Sequence, residues 1–152
     1  MFKIVSKRPL NEAKTVVEFV IEAPLVARKA RPGQFIIFRL DEYGERVPVT
    51  IAAADTEKGT VTIMVQPVGQ TTRMLNLMEA GDFIADFVGP LGRPTNMEGL
   101  KRVCVVGGGV GCAISYPVAK GFFEAGIEVD MVAGFRSKDI VILEKEMREH
   151  TT

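Results

Sequence analysis

The sequence has almost none of the residues from which histidine and cysteine sites are built. Its 152 residues include two cysteines, Cys104 and Cys112, and one histidine, His150. Two cysteines are too few for a disulfide framework or for the multi-cysteine spacing of a zinc or iron–sulfur site, so we expect two reduced thiols. A single histidine argues against a histidine-based catalytic triad and against a histidine-rich metal site.

The chain also lacks net charge and long apolar runs. Lys and Arg number 19 and are balanced by 19 Asp and Glu, which leaves no overall field to attract nucleic acid or an anionic membrane. Gly, Pro or a charged residue interrupts every apolar run well short of the roughly 20 residues that span a bilayer, and the first residues contain no signal-like segment. We therefore expect a folded cytoplasmic protein with no nucleic-acid or membrane partner.

What is present in the first 95 or so residues is a series of short β-branched and aromatic runs, each ended by Gly, Pro or Asp. This pattern is typical of an antiparallel barrel or sandwich. A short helix is predicted over 71–78, because Met74, Leu75 and Met78 recur at helical spacing and Gly81 follows as a stop. The six predicted strands are 2–6, 15–22, 34–40, 47–53, 60–66 and 83–88.

Near residue 100 the pattern changes to that of an α/β unit. The continuous apolar run 103–106 is typical of a strand buried on both faces of a parallel sheet. A helix over 112–125, a strand over 128–133 and a helix over 139–149 are predicted to follow. Because a dinucleotide domain is assembled from two βαβαβ halves, and less than one half is present, we expect the chain to be part of a longer protein.

A glycine cluster joins the predicted strand 103–106 to the helix after it. Glycines allow the backbone to turn tightly and to approach a diphosphate, whose charge then meets the free N–H groups at the helix N-terminus. This predicts a dinucleotide site, with a plain glycine-rich turn as the alternative. Arg136 follows the second strand, where it could donate to a cofactor phosphate or remain solvated. The residues of the cluster are Gly107, Gly108, Gly109, Val110 and Gly111.

Two features of the predicted barrel are each weak evidence for a cofactor site, and they become stronger evidence because they occur one after the other in the same barrel. Arg46, Pro48 and Thr50 place a cation, a proline and a hydroxyl within one strand. About 20 residues later, Gly69 and the hydroxyls that follow it begin the short helix, where they predict either a second phosphate-binding turn or an ordinary N-cap. Of the cysteines, Cys104 is predicted to lie in the core, and packing is favoured over a reactive thiolate for Cys112.

In combination these segments resemble the ferredoxin-NADP reductase superfamily, most closely its dihydroorotate dehydrogenase electron-transfer subunits and its sulfide dehydrogenase, or NADH-dependent ferredoxin-NADP oxidoreductase, alpha subunits. The resemblance implies a six-stranded antiparallel Greek-key barrel that binds FAD, residues 1–98. It implies that a partial Rossmann-like NAD(P)-binding domain, residues 99–152, follows. The resembling segments are 31–35, 46–50, 69–72, 89–92, 107–111, 134–139 and 142–144.

The resemblance also implies site residues. Thr50 is the catalytic candidate, with its hydroxyl or backbone near the flavin N5 atom, and the glycine cluster with Arg136 would bind NAD(P). Val47 stands where the family usually has an arginine, and strand alternation sends the side chain of Arg46 to the opposite face. The implied FAD-binding residues are Val47, Pro48, Val49, Thr50, Met64, Val65, Gln66, Gly69, Thr71 and Thr72.

The activity implied by the resemblance is hydride transfer between nicotinamide C4 and flavin N5, followed by single-electron transfer to an iron–sulfur protein or to the catalytic subunit of a redox complex. The cofactors supply this reactivity, so no side-chain acid or base is required. A [2Fe–2S] cluster is expected only in a C-terminal part that this chain lacks. For the same reason NAD(P) binding is expected to be weak or absent, and the chain alone is expected to be inactive.

Two other functions remain open from the sequence. The chain could be a non-catalytic docking or scaffold subunit of a redox complex, or an NAD(P)-binding regulatory module with an empty barrel. Whatever the function, the incomplete parallel sheet is expected to leave an unpaired edge at 103–106 or 129–132. Because such an edge can pair with another chain, we expect a homodimer or a swapped C-terminal segment.

Overall fold

The computed structural model describes all 152 residues, and its antiparallel part contains eight strands in two sheets. One sheet has the strand order β5-β6-β2-β1-β7 and the other has the order β4-β3-β8. Helix α1 (Pro24–Lys29) follows β2, and helix α2 (Gln70–Leu77) follows β6. The strands are β1 (Phe2–Pro9), β2 (Val17–Glu22), β3 (Phe35–Arg39), β4 (Val47–Thr50), β5 (Ala53–Asp55), β6 (Thr60–Val65), β7 (Phe83–Ile84) and β8 (Asp86–Leu91).

The predicted count of six strands is wrong because two of the predicted runs serve both sheets. The run 47–53 contains β4, which pairs with β3, and ends at the first residue of β5, which pairs with β6. The run 83–88 likewise divides into β7, which pairs with β1, and β8, which pairs with β3. A strand that changes sheets leaves its first partner at a corner, and a local pattern of apolar residues carries no mark of that corner. Helix α1 was not predicted.

The inward faces of the two sheets close over one apolar core of 16 buried residues. In β2 the inward residues Val17, Phe19 and Ile21 alternate with more exposed ones, as the period of two requires. Phe19 and Phe38, one from each sheet, are completely buried. This shared core fixes the ends of β4 and β6 beside each other, and those ends carry many of the predicted flavin residues.

The parallel part consists of β9 (Arg102–Gly108), helix α3 (Cys112–Glu124), β10 (Glu128–Gly134) and helix α4 (Glu144–Glu149). Strands β9 and β10 pair in parallel register, with Val129 opposite Val103. The predicted helix over 139–149 is wrong in its first half. There the chain forms a short 3-10 turn, Lys138–Ile140, and then extended backbone up to Leu143, whose φ of 62° interrupts any continuous helix before α4.

Only one face of the β9–β10 pair is covered, so the prediction of burial on both faces is wrong. Val103 and Val105 pack with residues of α3 and β10, whereas Val106 is 71% exposed and Val132 is 56% exposed. Cys104 shares the uncovered face and is exposed, so its predicted place in the core is also wrong. Alternation decides the face of each residue, but only a packing partner buries it. No helix of the protein is long and apolar enough to cross a membrane.

Candidate cofactor site

A cleft of about 230 Å³ between the barrel and the start of α3 brings together residues that are distant in the sequence. Strand β4 and the end of β6 form one wall, and the other wall comes from Val110, Ala113 and Ile114. Eight of the ten FAD-binding residues implied by the resemblance line this cleft. They are Val47, Pro48, Val49, Thr50, Met64, Val65, Gln66 and Thr72.

The wall formed by β4 is mostly apolar and is held in place by contacts with the barrel core. Val47 and Val49 are half-buried and pack against the barrel core. Thr50 lies opposite Phe35 at the end of the β3–β4 pair. Because β4 is the edge strand of its sheet, Pro48 can lie in it without breaking a ladder that continues on both sides. Arg46 is exposed, precedes the strand and does not line the cleft.

The N-terminus of α2 lies beside the cleft and has free amide groups. Gly69 N–H donates to Thr72 Oγ1 at 2.9 Å, and the Thr72 hydroxyl donates to Gly69 O at 3.1 Å. The first backbone hydrogen bond of the helix runs from Arg73 N–H to Gly69 O at 3.0 Å. The amides of the first helical residues, 70–72, therefore precede the helical hydrogen-bond series, and such amides bind anions.

Gly69 and Thr71 do not line the cleft, although both are among the FAD residues implied by the resemblance. The side chain of Thr71 points inward, with the residue only 7% exposed. What these two positions offer to a diphosphate is therefore backbone geometry: the turn at Gly69 and the amide of Thr71.

A second pocket of about 430 Å³ adjoins the first at the carboxyl ends of β9 and β10. In open α/β sheets this edge is where ligands bind. Gln66 and Val110 line both spaces, so the two spaces meet at these side chains. The remaining lining residues are Thr15, Val16, Gly109, Gly134, Phe135, Arg136 and Ile140.

The glycines of the cluster have two different roles. A Cβ on Gly107 would overlap Ser115 Oγ and lie 3.0 Å from Cys112 Sγ, so this glycine permits close packing of β9 on α3. By contrast, a Cβ on Gly108, Gly109 or Gly111 would meet no atom within 4 Å. Gly109 has a φ of +55°, which favours glycine. Of the five cluster residues, Gly109 and Val110 line the second pocket, and the other three do not.

The charges around the second pocket leave Arg136 available to a ligand. It is exposed and takes part in none of the eight ion pairs of the structure. Asp130 and Glu128 instead face Arg102, at 2.8 Å and 3.9 Å, on the uncovered face of the β9–β10 pair. Neither of these carboxylates lines the pocket.

Cys112 follows the glycine turn but is a packing residue. It is completely buried, and this burial raises the pKa of its thiol. A helix N-terminus can lower the pKa of a thiol by stabilising the thiolate, but at Cys112 burial disfavours the thiolate and has the opposite effect on the pKa. The predicted preference for packing at Cys112 is therefore confirmed.

The residues fit the groups that the resemblance implies. The first space offers apolar walls for a planar ring system and free amides for a diphosphate. The second offers the cation of Arg136 and, at Gly109, a glycine turn with open space where a side chain would stand. Several lining residues, among them Thr15, Val16, Ala113 and Ile114, were not predicted, because they reach the site only through packing between elements distant in the sequence.

Comparison with curated proteins finds relatives that match almost the whole of this chain. No protein-family model matches the chain. The chain is 49% identical to an uncharacterized protein in the adh 3′ region of Clostridium beijerinckii, over 98% of this chain and 52% of that protein. It is 47% identical to a Thermotoga maritima homolog of the dihydroorotate dehydrogenase B (NAD(+)) electron transfer subunit, over 90% of this chain and 49% of that protein. The chain thus spans about half the length of the curated relatives it matches.

Solved structures agree in fold. The structure of an NADH-dependent reduced ferredoxin-NADP oxidoreductase, described in connection with flavin-based electron bifurcation, superposes with a TM-score of 0.90. The sequences are 45% identical, over 98% of this chain and 53% of that one. Ferredoxin-NADP+ reductase from Plasmodium falciparum is 14% identical and has a TM-score of 0.78, over 97% of this chain and 63% of that one, which is a likeness of fold alone.

Proposed function

Because the chain belongs to the ferredoxin-NADP reductase superfamily, we propose that it contains the flavin site of an oxidoreductase that passes electrons between NAD(P)H and an iron–sulfur or ferredoxin partner by way of FAD. The observation that carries this proposal is the junction of the two candidate spaces at Gln66 and Val110. Hydride transfer requires the two reacting rings in contact, and adjoining spaces permit that contact.

FAD would occupy the first space, with its ring system against β4 and the end of β6 and its diphosphate at the N-terminus of α2. NAD(P) would occupy the second space, at Gly109 and Arg136. When bound, these cofactors supply the hydride-transfer and electron-transfer chemistry. The chain's own residues orient the two rings, and the apolar side chains of Val47, Val49 and Val110 keep water from the junction.

The proposed partner is an iron–sulfur protein or the catalytic subunit of a redox complex. The Thermotoga maritima relative is named as an electron transfer subunit homolog, and the similar solved structure is that of a ferredoxin-NADP oxidoreductase. A [2Fe–2S] cluster would be bound outside this chain, because its two cysteines do not form one cluster site: Cys112 is buried, whereas Cys104 is exposed. The proposed division between the FAD and NAD(P) domains, at residues 98 and 99, falls between β8 and β9.

We also propose that a second copy covers part of the β9–β10 sheet. These strands pair only with each other, and Val106 and Val132 are exposed on one face. Sedimentation of the chain is expected to show a dimer that Val106→Asp dissociates. A monomer at every concentration tested would contradict this part of the proposal.

The experiment that tests the flavin site is a visible absorption titration of the folded chain with FAD. Thr50→Val is expected to weaken FAD binding by about three- to tenfold, the usual effect of losing one hydrogen bond. Thr62→Val is the matched control, because Thr62 lies in β6 but outside the cleft. If the folded chain takes up no FAD, the flavin proposal is wrong and a docking function is favoured.

A further inference from the structure

The hairpin between β1 and β2, residues 10–16, extends from the barrel onto the nucleotide-binding part. Ala13 N–H donates to Asp139 O at 3.1 Å, and Asn11 Nδ2 donates to Ile140 O at 3.2 Å. Val16 is buried in a cluster that also contains Cys112 of α3. Hydrogen bonds at its tip and apolar packing at its base thus hold the hairpin against the segment that follows β10.

This hairpin carries Thr15 into the second pocket. The β2–β6 register pairs Val17 with Val65, so the residues just before β2 lie beside Gln66, just after β6. Thr15 and Gln66 both line the pocket, opposite Gly109 and Arg136. The pocket is therefore formed by both parts of the chain, although its glycine turn and its cation come only from the second part.

The hydrogen bonds of Thr15 leave its hydroxyl hydrogen free. Thr15 N–H donates to Asn11 Oδ1 at 2.9 Å, which identifies the oxygen end of that amide. The nitrogen end, Asn11 Nδ2, donates to Thr15 Oγ1 at 2.8 Å. A hydroxyl that accepts a hydrogen bond still has one hydrogen to donate. The Thr15 hydroxyl cannot donate it to Asn11 Nδ2, because that nitrogen is itself the donor.

We propose that Thr15 is a ligand-binding residue of the nicotinamide-nucleotide pocket, whose hydroxyl donates a hydrogen bond to an oxygen of the bound nucleotide, and that Asn11 is its positioning residue. The inference rests on the proposed function, which assigns a nucleotide to this pocket. A ligand with several phosphate and ribose oxygens suits a pocket that combines a hydroxyl donor, the amide of Gln66 and the free guanidinium of Arg136. Nucleotide binding then depends on the barrel as well as on the glycine turn.

The test is an NMR titration of the ¹⁵N-labelled full chain with NADH up to millimolar concentration, a range that measures weak binding. The amide shifts of Gly109 and Arg136 report occupancy, and a separate FAD titration reports the flavin site. Thr15→Val is expected to weaken NADH binding by about three- to tenfold, whereas Thr15→Ser, which keeps the hydroxyl, stays within about twofold. Thr62→Val is the control, because it makes the same threonine-to-valine change outside the pocket. FAD affinity is expected to be unchanged in all three variants.

Asn11 is tested by a double-mutant comparison. If Asn11 acts through Thr15, Asn11→Ala weakens NADH binding in the wild-type background but adds little in the Thr15→Val background. Equal effects of Asn11→Ala in both backgrounds would show that Asn11 acts through the fold of the hairpin alone, and would overturn its positioning role.

The outcomes separate this inference from the proposed function. Equal NADH affinity in the wild type and in Thr15→Val would overturn the inference and leave the function intact. No shift of the Gly109 and Arg136 amides in the folded wild type, even at millimolar NADH, would overturn the inference together with the assignment of a nucleotide to this pocket of the chain, whereas the FAD titration would still test the flavin site separately. If Thr15→Val shifts the amide of Ala13 before any ligand is added, the hairpin has changed and Thr15→Ser decides: weak binding by that variant also overturns the inference.

Discussion

Gly121 of α3 lies so close to Pro32 of the barrel that a Cβ at Gly121 would fall 2.6 Å from Pro32 Cγ. The same Cβ would lie 2.9 Å from Met97 Cε, in the segment that joins β8 to β9. The absence of a side chain at Gly121 therefore lets α3 rest on the barrel. The first candidate space also takes one wall from α3, at Ala113 and Ile114, so we expect the packing of α3 on the barrel to influence its width.

Gly121→Ala is expected to lower the free energy of unfolding, because overpacking usually costs about 1–3 kcal/mol. The higher helix propensity of alanine offsets up to about 1 kcal/mol of this cost. Urea unfolding followed by circular dichroism measures the change. Gly134→Ala is the control, because a Cβ there meets no atom within 4 Å. If Gly121→Ala instead increased stability, the Pro32 and Met97 side chains would have to move aside at little energetic cost.

The neighbouring glycines Gly107 and Gly108 are expected to respond differently to the same substitution. Gly107→Ala forces a methyl group onto Ser115 and Cys112 and is expected to destabilise the fold by about 1–3 kcal/mol. Gly108→Ala adds its methyl group in open space at a φ of −126°, so the fold is expected to remain stable. Thermal unfolding of both variants checks this, and equal losses of stability would contradict the assigned packing role of Gly107.

The stability of the protein is expected to fall at alkaline pH because of Tyr116. Burial raises the pKa of Tyr116 to about 12, and nearby carboxylates add to the shift. Since the pKa in the unfolded chain is about 10, the unfolded state loses its proton first, and stability declines from about pH 10 to about pH 12. The charged groups behind the added shift are Glu146, Glu149 and Glu124.

The measurement is urea unfolding between pH 8 and pH 12 for the wild type and Tyr116→Phe. The phenylalanine variant lacks the ionising group, so its stability is expected to decline less over this interval. Absorbance at 295 nm in a Tyr43→Phe background follows Tyr116 alone, because the chain has two tyrosines. Parallel pH curves for the wild type and Tyr116→Phe would show that other groups control alkaline stability.

The two thiols are expected to differ in reactivity. Cys104 is exposed on the uncovered face of β9, whereas Cys112 is completely buried with a raised pKa. In the Val106→Asp chain, which the proposed second copy does not cover, a thiol reagent such as Ellman's reagent should therefore label one cysteine in the native state and two in urea. Cys104→Ser identifies the reactive site, because native labelling is expected to disappear in that variant. Rapid native labelling of Cys112 would mean that α3 opens readily from β9.

Features with a local cause were predictable. Alternating apolar residues predicted the positions of most strands, and the spacing of Met74, Leu75 and Met78 predicted α2. Thr50 and the glycine cluster were identifiable because each follows from residue types within a few positions, strengthened by the resemblance. Their convergence on adjoining spaces could not be read from the chain, because it depends on how α3 packs against the barrel.

The sequence by itself indicated most of the strands, helix α2 and the glycine turn after β9, since short-range periodicity and turn chemistry decide these, and the residues proposed for FAD came from the family resemblance. The tertiary structure decided which runs divide between two sheets, and which face of β9, at Cys104 and Val106, no other element of the chain covers. It alone brought Thr15 of the barrel beside Arg136. Burial and contact are properties of pairs of elements, and the residues of one element do not specify what packs against it.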